Sequence, residues 1–127
     1  MALRMAKALV VAGTTAVLAV SAGTTASAAP AASCYASGGN LYCGNVANAA
    51  IYKVAHWTTP PSPNPTPVVD RLLSTHSYFK CYVHGDDHPG GNNVWYSTYG
   101  DINGAWGWVP ANQVYTPTDP FPGVDHC

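Results

Sequence analysis

The sequence contains no glutamate, and charged residues make up only 9% of its 127 positions. Five Lys and Arg face six acids, all of them Asp. So few charges of either sign argue against solvated surface helices, and no basic face exists for a nucleic acid to bind. The absence of Glu removes the usual high-pKa acid of glycosidases. There is no Gly-x-Ser-x-Gly elbow and no His-Glu-x-x-His pair. No Cys-x-x-Cys occurs, so the cysteine spacing does not fit structural zinc. The chain is read as a non-enzyme, with no cofactor and no metal expected.

What is present is aromatic and turn-rich: four Trp, eight Tyr, two Phe, 12 Gly and 11 Pro. Aromatics at this frequency with little charge favour a folded core over disorder. The first 28 residues have the pattern of a secretory signal peptide. Arg4 and Lys7 are followed by an uncharged run from Ala8 to Val20, then by Ala26-Ser27-Ala28 as a cleavage site. The apolar run is about 13 residues, short of the roughly 20 that a spanning helix needs. Cleavage leaves Lys53, Arg71 and Lys80 against six Asp, a formal charge of −3. The expected location is secreted, with no membrane attachment after cleavage.

Cys34, Cys43, Cys81 and Cys127 are an even set in an exported chain and read as two disulfides. Three connectivities are possible. Gly38-Gly39-Asn40 can supply a tight reversal between Cys34 and Cys43, which favours Cys34–Cys43 with Cys81–Cys127. The short bridge is worth on the order of 2–3 kcal/mol by chain entropy. The long one would tie the tail to a central strand.

Ala49 to Val54 is a plausible strand, and Val68 to Ser74 a strand entry or a single helical turn. Between them, Thr58 to Pro67 holds five Pro in ten residues. That density requires an exposed, extended loop with polyproline character. Its Pro60-Pro61-Ser62-Pro63 segment is read as a rigid loop rather than as a cover for the protein's own groove. From His76 to His84, Phe79, Cys81 and Val83 alternate with Tyr78, Lys80, Tyr82 and His84, a half-buried strand. Val94 to Tyr99 and Ala105 to Val109 follow, joined across Asn103-Gly104. Pro110-Ala111-Asn112 suggests a 3₁₀ turn before a short closing strand, Gln113 to Thr116. His84-Gly85-Asp86-Asp87-His88 contains metal-type and acid/base-type groups, but a Gly-flanked loop fixes no geometry, and a solvated turn is expected. Several short strands without helical period indicate an all-β fold.

Trp95-Tyr96, the turn Asp101 to Gly104 and the run Gly107-Trp108-Val109-Pro110-Ala111-Asn112-Gln113-Val114 resemble the bacterial SH3-like (SH3b) domains of exported and cell-wall-associated proteins. The likeness covers roughly 48–116 and is strongest over its final 25 residues. It implies a five-stranded bent barrel with Phe79, Val83, Gly107, Val109 and Val114 facing the core. The Pro-rich loop falls where that family has its long first loop. The resulting organisation is a signal peptide (1–28), an N-terminal disulfide hairpin extension (29–47), the barrel (48–116) and a tail tied by disulfide (117–127).

The resemblance places Trp95 and Pro110 in an aromatic groove for extended peptides, while Gln113 stands where the groove has a tyrosine. The expected ligand-binding residues are Trp95, Tyr96, Trp108 and Pro110, with Tyr78 and Tyr82 contributing. The expected function is a secreted, monomeric binding module for a peptidoglycan peptide or an extracellular protein. The contrasting reading is a small secreted inhibitor or toxin-like effector of a partner enzyme, for which a rigid Pro-rich loop would be preorganised.

Overall fold

Eight strands account for the regular structure of the described residues, which are 33–58 and 64–127 of a computed structural model. They are β1 (Tyr35–Ser37), β2 (Asn40–Gly44), β3 (Ala49–Tyr52), β4 (Val68–Leu72), β5 (His76–Phe79), β6 (Cys81–His84), β7 (Val94–Tyr99) and β8 (Trp106–Pro110). A 3₁₀ turn, Ala111–Gln113, follows β8. No α-helix occurs among the described residues, and the fold is all-β. The expected signal peptide and Pro60, Pro61 and Pro63 lie outside the described residues.

The strands do not close into one five-stranded barrel. They form two antiparallel sheets, one of order β4-β3-β8-β7-β6 and one of order β1-β2-β5. The division falls at Lys80, inside what reads in sequence as a single strand. Before it, β5 pairs with β2, setting Phe79 opposite Leu41 and Tyr78 opposite Tyr42. After it, β6 pairs with β7, setting Cys81 opposite Ser97. The Lys80 N–H donates to Ser97 O at 2.8 Å, holding the corner. The break also shifts the alternation by one, which turns every later side chain over. Phe79 is buried, but the next residue packed against the core is Tyr82. Val83, expected in the core, instead sits opposite Trp95 and is half-buried. Phe79, Gly107, Val109 and Val114 are buried as expected.

Two hairpins follow from their turn residues. Gly38 and Gly39 take φ of 60° and 85°, left-handed values that most side chains resist. They bring Cys34 to Cys43, which are disulfide-bonded with Cα atoms 4.0 Å apart. The connection from β7 to β8 is wider than a two-residue turn, because Tyr99 and Trp106 are the first facing pair. Gly107 in β8 is required by close approach: a Cβ there would lie 2.4 Å from Tyr52 O.

The core combines both sheets. Leu41, Ile51, Phe79 and Val109 are fully buried, each worth about 1.5–3 kcal/mol on transfer from water. Asn45 joins β2, the β4–β5 turn and β5: its amide donates to Val46 O and Ser74 O, and its Oδ1 accepts from Ser77 Oγ at 2.7 Å. The closing strand is a single bridge, Asn45 to Val114. Cys81 and Cys127 form the second disulfide, 46 positions apart. It ties the tail to β6, an edge strand rather than a central one. Tyr82 N–H donates to Asp125 O and Cys127 N–H to Tyr82 O, so the tail covers that edge. The tail also reaches the other sheet, where Asp125 N–H donates to Gly39 O.

Candidate binding cleft

Trp95 and Tyr96, expected on a binding surface, are both fully buried. They point to opposite sides of β7, and each side is covered. Trp95 lies beneath the start of the β3–β4 loop and the β6–β7 loop. Its Nε1–H donates to Asp86 O at 2.9 Å, and its ring meets Tyr52 and His88 edge-on. Gly85 makes the close packing possible, since a Cβ there would sit 2.9 Å from the Trp95 ring. Tyr96 faces the core. Its hydroxyl donates to Asp119 Oδ1 at 2.8 Å and accepts from Phe121 N–H. Burial, reinforced by the Asp119 carboxylate, pushes this phenol above its ordinary range.

Trp108, Tyr78 and Tyr82 are half-buried. Tyr82 packs against His84 and His126. Pro110 is almost wholly buried, yet its edge reaches a cleft of about 270 Å³. Tyr52, Trp57 and Val68 supply the cleft's other apolar surfaces, and Asn48, Arg71 and Gln113 its polar ones. Tyr52 and Trp57 meet edge-to-face, with centroids 6.1 Å apart. Of the expected ligand-binding residues, the structure brings Pro110 to this cleft, with Trp95 as packing behind Tyr52; Gln113, where the sequence departs from the groove pattern, also lines it.

The walls are held from below. Asp86 Oδ2 accepts the Trp57 N–H and contacts His56 Nδ1, and Asp86 N–H donates to Ala55 O at 3.1 Å. Arg71 Nη1 donates to the Asn48 carbonyl at 3.0 Å, with Asn48 in a left-handed turn. The loop 84–88 is thus a scaffold more than a solvated turn. His88 is buried, and its ring accepts the Gly90 N–H at Nδ1 and donates from Nε2 to Val94 O. His84 turns away to Asn93 Oδ1. No group of three or more His, Cys, Asp or Glu able to hold a metal occurs among the described residues. The cleft's chemistry is contact chemistry: two rings and a proline edge for a flat apolar group, with amides and a guanidinium at the rim.

Tyr52 and Trp57 are the residues that the sequence pattern missed. The available signal was a Trp placed just before a Pro-rich segment. A second aromatic set runs along a different face: Tyr35, Tyr42, Tyr78, Tyr99 and Trp106. No protein-family model matches the chain, and no curated protein or solved structure does either.

Proposed function

We propose that this chain is an exported, non-catalytic binding module of SH3-like build. It takes an extended peptide in the cleft of Tyr52, Trp57 and Pro110. The peptide belongs to the cell wall or to an extracellular protein. The observation that carries this reading is the Trp57 ring, set edge-to-face on Tyr52 beside the Pro110 edge, with the Trp57 backbone N–H anchored by Asp86. Flat apolar walls suit a peptide that is already extended and has little entropy left to lose. The meander β6-β7-β8, the 3₁₀ turn and the Val114 bridge to Asn45 support the SH3-like element of the reading. Two disulfides suit an oxidising compartment.

Co-sedimentation with purified peptidoglycan, and titration with its isolated stem peptides, test the proposal. Retention that Trp57→Ala weakens about tenfold, the equivalent of about 1.4 kcal/mol, is expected. Retention unaffected by Trp57→Ala counts against the cleft. Hydrolase inhibition without retention favours a small inhibitor instead.

A further inference from the structure

The strands of both sheets contribute to one continuous row of rings. Tyr35 stacks on Tyr42 with centroids 5.0 Å apart. Tyr42 meets Tyr78 at 5.5 Å, Tyr78 meets Tyr99 at 6.0 Å, and Tyr99 meets Trp106 at 5.1 Å. Strand register makes three of these contacts, since Tyr35–Tyr42, Tyr42–Tyr78 and Tyr99–Trp106 are facing pairs. The fourth crosses between the sheets, where Thr98 Oγ1 donates to Tyr78 O at 2.6 Å. Cross-strand stacking alone would explain a covered row. This row is open: Tyr35 is 54% exposed, Tyr99 44% and Trp106 53%.

Beside it lies a polar cavity of about 180 Å³. Tyr78 and Tyr99 form part of its wall, and Ser74, His76, Ser77 and Asp101 supply hydroxyl, imidazole and carboxylate groups. Asp101 Oδ2 accepts the N–H groups of Leu73 and Ser74, while Oδ1 takes no bond from the described residues. Row and cavity carry one cation, Lys80 near the Trp106 ring, and one anion, Asp101.

We infer that this face binds a neutral glycan strand. Pyranose rings present C–H faces that rest against aromatic rings, and their hydroxyls need short-range polar partners of the kind grouped in the cavity. Balanced charge leaves no field to attract a nucleic acid, an acidic polysaccharide or a phospholipid surface. The row is also preorganised, since the Cys34–Cys43 bridge closes the hairpin that carries Tyr35 and Tyr42. This surface shares no residue with the cleft.

The oxidised protein is titrated with chitohexaose and with cellohexaose, followed by tryptophan fluorescence and calorimetry. Saturable binding of at least one is expected. Tyr99→Ala with Trp106→Ala weakens it about a hundredfold, about tenfold per ring removed. Tyr35→Ala, at an exposed position on the other sheet, weakens it about tenfold. Near-UV circular dichroism confirms that each variant is folded. Trp57→Ala leaves saccharide binding unchanged, so loss of peptide binding and loss of glycan binding are read separately. No binding of either oligosaccharide overturns the inference, as does binding indifferent to the Tyr99 and Trp106 changes. Tighter binding of heparin, or self-association abolished by those same changes, assigns the face to another occupant and also overturns it.

Discussion

Asp70 shows how one side chain can hold a connection distant in sequence. Its carboxylate accepts the N–H groups of Arg71, Ile102, Asn103 and Ala105. Burial acts to raise its pKa, but the four donors outweigh burial and hold it below the ordinary 3.8. A group lowered in the folded state stabilises fully above its unfolded value and ceases to do so as pH falls through the folded one. Acid unfolding should therefore steepen below pH 3.8, and Asp70→Asn should flatten that limb and lower Tm at neutral pH; acid titration followed by circular dichroism checks both. Gly100→Ala should destabilise by about 1–3 kcal/mol in urea unfolding, because its Cβ would fall 1.9 Å from Asp70 Cγ. Tyr96→Phe should cost about 1–3 kcal/mol in the same assay, leaving Asp119 and the Phe121 N–H short of a partner. A reversal between β7 and β8 is legible from the Asn103-Gly104 dipeptide, although the connection is wider than that dipeptide implies. Its anchor is not, because nothing local to Asp70 says where the 100–105 loop will lie. Trp95 is illegible as a core residue for a related reason: alternation assigns it a face, but nothing in that pattern says that the preceding 85–93 loop folds back over it or that Tyr52 packs against it.

Elements were legible where their signals were local. The Gly38-Gly39 reversal, the β7 and β8 strands, the 3₁₀ turn and the Cys34–Cys43 pairing all rest on neighbouring residues, and Cys81–Cys127 follows as the pair that remains. The division at Lys80 does not. Alternation from His76 to His84 looks unbroken, yet the chain leaves one sheet for another midway, because β5 finds its partner in the N-terminal hairpin. Pairing partners are a long-range property, and period-2 patterning is blind to them. The tail compensates for the exposed edge this leaves on β6. Cys81→Ser with Cys127→Ser should lower stability by about 4 kcal/mol by chain entropy, given the 46-residue separation. Hydrogen exchange should then quicken at the Tyr82 and Cys127 amides, which hold the tail to that edge.

The molecule as a whole has two faces of unlike character. The cleft is small, with Trp57 fixed by Asp86 from a neighbouring loop, and its proposed guest is an extended peptide. The row of rings is broad and shared by both sheets. Sequence composition announced that aromatics would matter, and the resemblance to SH3b domains pointed to Trp95 and Tyr96, which the fold buries. The rings of the two proposed surfaces lie instead on hairpins and loop ends, where exposure depends on how the sheets meet. The cysteine pairing has a separate consequence. Each Cys is joined to its neighbour in order of appearance, Cys34 with Cys43 and Cys81 with Cys127. As the chain emerges, the first thiol meets its proper partner before a competitor exists, and the later two then have only each other. Oxidation in step with synthesis would thus reach the native arrangement without reshuffling, and vectorial release into an oxidant lacking any isomerase should yield natively paired protein.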